Sequence, residues 1–244
     1  MEIFSNFMDP GGGGEMLGRY VHFLAGITWI GMLYYFNFVQ TPAFAEVSDA
    51  TRSEAMRTIT WRALWWFRFG ALLTFLSGIW ILGAQKLLGE RFDDFWTTPS
   101  GLSIAIGALF AITMFLNVWL VIWPKQKIVI ASTQAVLAGG QADPAAADAG
   151  ARAFVASRTN TLFSIPMLFF MGAASHLSLT GDIKAGMGLA MGIPTLIILA
   201  IEANVLFGKK NVGFSKLLEK HVSVIHAGIG LAALFYLLID GLIA

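Results

Sequence analysis

Residues 19–44 form an apolar segment long enough to cross a lipid bilayer, which takes about 20 apolar residues in a helix. The segment carries His22 near one end and Asn37 and Gln40 near the other. At helical spacing these polar residues fall on one stripe together with Gly26. Because polar groups are costly in the hydrocarbon region, such a stripe indicates a functional surface on a membrane helix.

The composition assigns the chain to the integral membrane proteins. Of its 244 residues, 57% are hydrophobic and 13% are charged, and the mean hydropathy is +0.70. A soluble domain is about one quarter charged. The net charge of +1 argues against nucleic acid as a partner. The sequence contains no Cys, which excludes disulfides, thiolate-held iron–sulfur clusters and covalent haem c within it.

The apolar segments predict an all-α membrane protein with a bundle of about six transmembrane helices. They form a single domain over residues 18–244, preceded by a disordered tail over residues 1–17. The tail contains Glu2, Asp9 and Glu15 and lacks the basic start of a signal peptide. The predicted spans are residues 19–40, 63–85, 101–123, 159–181, 186–207 and 222–243.

The distribution of Lys and Arg predicts the orientation of this bundle. The connections and helix ends that follow the first, third and fifth spans carry 12 Lys and Arg residues, and the opposite side carries 4. Cytoplasmic loops are enriched in these residues. Both termini are therefore expected in the periplasm, with the chain in a bacterial inner membrane.

Two histidines are predicted at similar depth near the outer face. His22 begins the first span and His176 ends the fourth, on helices that run in opposite directions. Gly26 and Gly172 lie one turn deeper, where a porphyrin needs small neighbours. Because neutral imidazole is a common axial ligand of haem iron, we expect haem b held by His22 and His176. The alternatives are another metal, or structural histidines at helix contacts rich in small residues.

A second set of polar residues is predicted near the inner face. It contains Asn37, Arg68, Asn117, Arg158, Asn160, Glu202, Asn204 and His226. One interpretation is that Arg68 pairs with Glu202 and fixes helix packing, since buried ionisable groups face a partner or a cavity. The other is a pocket for a small planar molecule rich in hydrogen-bonding groups. In that pocket Glu202 or His226 would accept a proton. A haem site with His226 as a single ligand is a further alternative.

Three segments carry a family resemblance: WIGMLYYFNFVQTPAF (29–44), FLNVWLVIWPKQ (115–126) and SRTNTLFSIPMLFFMGAASH (157–176). They resemble the membrane domain of bacterial membrane-bound urate oxidases, also called urate hydroxylases of the PuuD type. The likeness runs through nearly all of the chain from residue 16, and the third segment is the most specific. The first span also resembles, more distantly, the copper-resistance D and protoporphyrinogen-oxidase-like membrane proteins.

The resemblance implies oxidation of urate to 5-hydroxyisourate, with electrons passing to cytochrome c rather than directly to oxygen. A c-type cytochrome domain usually follows the membrane domain in that family, which is drawn with eight spans. Because this sequence has no Cys, the cytochrome is expected to be a separate partner. Arg158 and Asn160 would then orient urate, and Glu202 or His226 would act as the base.

Two other functions are consistent with the same residues. One is a non-catalytic haem b subunit that transfers electrons, or has a structural role, in a larger respiratory membrane complex. The other is a membrane scaffold or small-molecule transporter without haem. An absorption spectrum with and without candidate reductants distinguishes the three functions.

Overall fold

A computed structural model describes residues 4, 6–7, 9–177, 179, 183–208 and 212–243. These residues form helices and contain no strand, which confirms the predicted all-α class. Several predicted features extend beyond the described residues. These are residues 1–3, 5 and 8 of the tail, residues 178 and 180–181 of the fourth span, Lys209 and Lys210 of the basic connections, and Ala244.

The described part of the chain contains six long helical stretches. In the first three, a short π-helical turn joins two α-helices into one continuous stretch. The elements are α1 (Gly13–Tyr34), π1 (Tyr35–Gln40), α2 (Thr41–Glu46), α3 (Asp49–Ala55), π2 (Met56–Thr60), α4 (Trp61–Ala84), α5 (Phe92–Trp96), α6 (Pro99–Leu116), π3 (Asn117–Ile122), α7 (Trp123–Leu137), α8 (Ala146–His176), α9 (Ile183–Phe207), a 3-10 turn (Gly213–Lys216) and α10 (His221–Ile243).

Four of the described helical stretches are long and apolar enough to cross a membrane. They are Asp49–Ala84, Pro99–Leu137, Ile183–Phe207 and His221–Ile243. They contain most of the predicted second, third, fifth and sixth spans. The predicted first and fourth spans correspond to α1 and α8, whose polar residues lower their hydropathy. The count of six spans and the periplasmic termini remain predictions.

The central element of the bundle is α8. It packs against α6, α7, π3 and α10 and also contacts α1 and α9. Its residues 158–164 are all buried, on every face of the helix, although they include Arg158, Thr159, Asn160, Thr161 and Ser164. A helix buried on all sides is normally apolar all round. The polar residues of α8 therefore need partners from the surrounding helices.

A close contact between α1 and α4 forms at Gly70. A Cβ atom added there would lie 3.0 Å from the backbone nitrogen of Trp29 and 3.3 Å from the backbone oxygen of Ala25. Small residues let membrane helices approach in this way. The first two long helical stretches therefore pack with their backbones nearly in contact.

The start of α1 is tied to the end of α4 through Glu15, which is 8% exposed. Its carboxylate accepts hydrogen bonds from the Gly11 N–H at 2.8 Å and from Gln85 Nε2 at 2.7 Å. Arg19 Nε donates a third bond at 2.8 Å. Burial raises the pKa of Glu15, but the three hydrogen bonds and the positive charge of Arg19 together outweigh burial and bring the pKa below its ordinary value. Helix α1 thus begins at Gly13, within the segment predicted as the tail.

Replacing Gly70 by Ala tests the α1–α4 contact. The added methyl group meets the backbone of α1, so we expect the free energy of unfolding to fall by about 1–3 kcal/mol. Thermal unfolding of the detergent-purified protein measures the change. Gly31→Ala is the matched control, because a Cβ at Gly31 meets no atom within 4 Å. Equal stability of the two variants would contradict the proposed contact.

Candidate functional site

Three π-helical turns in the described chain carry buried polar side chains. Asn37 lies in π1, Thr60 in π2 and Asn117 in π3, and each is at most 3% exposed. Thr60 Oγ1 donates a hydrogen bond of 2.9 Å to Gln40 Oε1, which joins the first two turns. The π-helix is rare and often marks a functional site. The turns π1 and π3 contribute Asn37 and Asn117 to a group of polar side chains between the helices. Together with the polar residues among 157–164 of α8 and Glu202, these form what we call the polar layer.

An amide–carboxylate cluster joins three helices within this layer. Asn117 Nδ2 donates to Asn160 Oδ1 and to Glu202 Oε2, both at 3.0 Å. Asn160 Nδ2 donates to the backbone oxygen of Met114, also at 3.0 Å. Asn117 and Asn160 are buried and Glu202 is half-buried. The structure thus brings together three of the residues that the sequence predicted for the site.

Arg68 is in an aromatic environment rather than in an ion pair with Glu202. Its guanidinium carbon Cζ lies 3.8 Å from the ring centroid of Trp123 and 4.7 Å from that of Phe69. The ion pairs among the described residues do not include Arg68 with Glu202. The interpretation that this pair fixes helix packing is therefore not supported. Stacking on aromatic rings stabilises the cation instead.

A second group of hydrogen bonds joins α1 and π1 to α8. Asn37 Nδ2 donates to Ser157 Oγ and to the backbone oxygen of Leu33, each at 2.8 Å. The hydroxyl groups of Tyr34 and Ser164 are 2.9 Å apart. Tyr34, Ser157 and Ser164 were not among the predicted site residues. Ser157 and Ser164 are seven residues apart, so they lie on one face of α8, and this spacing is the sequence pattern that could have identified them.

Arg158 is a buried cation with unpartnered hydrogen-bond donors. It is 2% exposed, and its Nε and Nη1 atoms have no hydrogen-bond partner among the described residues. The buried Thr159 Oγ1 has none either. The guanidinium carbon of Arg158 lies 5.2 Å from the ring centroid of Phe154. Arginine stays charged in proteins, and an uncompensated buried charge is costly. The open donors of Arg158 are therefore suited to an anionic or oxygen-rich ligand.

The two remaining predicted site residues lie apart from the amide–carboxylate cluster. Asn204 is bonded to Ser215, with Nδ2 to Oγ at 3.0 Å and Oγ to Oδ1 at 3.1 Å. His226 is exposed on α10. No hydrogen bond among the described residues joins either of them to Glu202. Glu202 is therefore the better placed of the two candidate bases.

Arg152, which the sequence analysis did not select, fixes the end of the helix that carries Glu202. Its Nη1 atom donates to the backbone oxygens of Val205 and Gly208, each at 2.8 Å. The last carbonyl groups of a helix lack intrahelical partners, and a cation at that end is favourable. Arg152 thus holds the end of α9 on α8, a few residues beyond the carboxylate.

The Tyr34–Ser164 bond provides a reference for the depth of the two predicted haem ligands. His22 precedes Tyr34 by twelve residues on α1, and His176 follows Ser164 by twelve residues on α8. Both histidines are thus about 18 Å along their helices from this bond. This register gives them a similar depth in the bundle.

His22 and Gly26 face α4, whereas His176 and Gly172 are exposed near the end of α8. His22 Nδ1 lies 3.1 Å from Ser77 Oγ, a bond that leaves Nε2 available for a metal. His176 is exposed at the end of α8. A Cβ at Gly26 would meet only Thr74, at 4.0 Å, and one at Gly172 would meet no atom within 4 Å. Among the described residues, no group of three or more His, Asp or Glu forms a metal site.

Comparison with known proteins identifies the family. The family model described as urate oxidase N-terminal matches residues 95–232, which is more than half of the chain. No curated protein and no solved structure matches the chain. The matched residues include the amide–carboxylate cluster and Arg158. The predicted resemblance is confirmed, and the chain belongs to the urate oxidase N-terminal family.

Proposed function

We propose that this chain is a membrane oxidoreductase that oxidises urate or a closely similar heterocycle. The observation that carries the proposal is the buried polar layer, in which Asn117 donates hydrogen bonds both to Asn160 and to the carboxylate of Glu202. The family match supports a urate-related substrate. The apolar helices support a membrane location, for which we propose the bacterial inner membrane.

The polar layer offers the groups that such a substrate requires. Urate is flat and carries carbonyl oxygens and N–H groups around its edge. Arg158 supplies unpartnered donors for its oxygens. The Asn117 amide, which also bonds to Asn160, positions the Oε2 atom of Glu202 through a hydrogen bond. The heterocycle takes its new oxygen from water and releases two electrons, which pass to the proposed cytochrome c, and two protons, one of which Glu202 accepts. Arg152 independently anchors the end of α9, the helix that carries Glu202.

Glu202→Gln tests the proton-accepting role. The amide oxygen of Gln still accepts the Asn117 hydrogen bond, so we expect the fold and urate binding to be retained. Turnover should fall by about 10²–10⁴-fold, because the base is lost. The measurement is urate-dependent reduction of cytochrome c by the purified membrane protein.

Glu219→Gln is the matched control for this test, because Glu219 is exposed and lies outside the polar layer. Its turnover should equal that of the native chain. If Glu202→Gln also retains full turnover, Glu202 is not the base.

Arg158→Met tests the role of the buried cation in binding. We expect the KM for urate to rise by about 10–100-fold, since a hydrogen bond to a charged group contributes about 1.5–3 kcal/mol. Without substrate, the melting temperature should not fall, because the substitution removes a buried and incompletely partnered charge. Lower stability with an unchanged KM would show that Arg158 serves folding instead.

We further propose that His22 and His176 hold haem b near the outer face of the bundle. Their similar depth along α1 and α8 and the lack of close neighbours at Gly172 support this site. Haem b held there would supply one-electron transfer from the substrate to a separate cytochrome c at the predicted periplasmic face. Ser77 bonds to Nδ1 of His22, which would leave Nε2 as the ligand atom for the iron.

Alanine substitutions of the histidines test this assignment. We expect His22→Ala and His176→Ala each to abolish haem retention, whereas His221→Ala, whose ring packs against Phe38, should retain it. The Soret absorbance per protein measures retention. Haem in either of the first two variants would defeat the assignment. A Soret band that urate does not reduce would instead favour a non-catalytic electron-transfer subunit.

A further inference from the structure

A groove lies between the first two long helical stretches, on the surface of the bundle. Its volume is about 440 Å³, within the range of about 300–1,000 Å³ that is typical of ligand sites. Its walls are formed by Met32, Tyr35, Thr58, Ile59, Arg62, Ala63 and Trp66. Most of these side chains are apolar, and Arg62 carries the only formal charge among them.

The groove lies beside the contacts between the first two long helical stretches. At one end, the backbones of α1 and α4 meet at Gly70 and Trp29. Toward the other end, the Thr60–Gln40 hydrogen bond joins π2 to π1. The lining residues on the second stretch run from Thr58 to Trp66, which corresponds to about 12 Å along a helix. The space is therefore elongated along the helices and suits an extended chain.

The sides of the groove are apolar and exposed. Ile59 is 56% exposed and Trp66 is 57% exposed. Both belong to Asp49–Ala84, which is long and apolar enough to cross a membrane. Trp and Tyr are enriched where a membrane protein meets the lipid headgroups. The groove therefore faces the bilayer, close to its interface.

The charge of Arg62 is not compensated by an acidic side chain in the described part of the chain. Its Nη1 atom donates to the backbone oxygen of Thr58 at 2.9 Å. By contrast, the neighbouring Arg52 and Arg57 are paired with Asp49 and Glu54. An exposed guanidinium beside an apolar groove binds a phosphate group well, because its donors match the phosphate oxygens.

We propose that this groove binds an anionic phospholipid. One acyl chain lies along Met32, Ile59 and Ala63, and the negatively charged headgroup contacts Arg62. A neutral lipid fills the same apolar space but leaves the charge of Arg62 without a partner. The site is thus selective for net negative charge, and it is separate from the polar layer.

Native mass spectrometry of the purified full chain tests this site, with phosphatidylglycerol and phosphatidylcholine of identical acyl chains as the probes. We expect the native chain to retain phosphatidylglycerol preferentially. Arg62→Gln should reduce that preference by about fivefold, as expected for one basic residue near anionic lipid. Arg57→Gln is the matched control and should leave the preference unchanged, since Arg57 is already paired.

A second variant, Ala63→Trp, fills the groove without changing its charge, and we expect it to reduce the retention of both lipids. Soret absorbance and urate turnover should persist in Arg62→Gln, so the lipid site and the proposed oxidoreductase function can fail independently. Equal retention of the two lipids by the native chain would overturn the proposal. Unchanged phosphatidylglycerol preference in Arg62→Gln, or unchanged lipid retention in Ala63→Trp, would overturn it as well.

Discussion

The need to satisfy polar side chains inside an apolar bundle determines how the helices surround α8. The polar stretch of α8, residues 157–164, is buried or half-buried, and unsatisfied polar groups are costly there. Asn37 and Tyr34 provide partners from the first helix, and Asn117 provides one from π3. Each bond selects one rotation of a neighbouring helix about its axis. Arg158 and Thr159 are exceptions, because two nitrogens of Arg158 and the hydroxyl of Thr159 have no partner among the described residues.

The π-helical turns show how the surrounding helices supply these partners. A π-turn inserts an extra residue, which rotates the side chains that follow it relative to those that precede it. Asn37 lies in π1 and Asn117 is the first residue of π3, and both are buried within the bundle. The backbone hydrogen bonds of a regular α-helix have better geometry than those of a π-turn. The π-turns at the polar layer therefore indicate that the Asn37 and Asn117 amides must lie at particular positions. The same turns leave no distinct pattern in the sequence and were not predicted.

The sequence predicted the helical class and the residues of the amide–carboxylate cluster, because apolar length and residue depth are local properties. It did not predict which side chains of different helices contact one another. The start of α1 depends on the Glu15–Gln85 bond, between residues 70 positions apart. Similarly, the stacking of Arg68 on Trp123 depends on the rotation of two helices. Such contacts follow from three-dimensional packing, which hydropathy along one chain does not specify.

The family match covers residues 95–232 and therefore leaves α1 and α4 outside it. Helix α1 nevertheless contributes to the polar layer, since Tyr34 bonds to Ser164 and the adjoining π1 bonds to Ser157. Without them these buried hydroxyls would lose partners. Turn π1 also carries Tyr35, which lines the lipid groove. One short turn thus lines the proposed lipid groove on one side and the polar layer on the other. Its Phe36 ring lies 5.6 Å from the Phe67 ring of α4, a contact that holds the turn between the two surfaces.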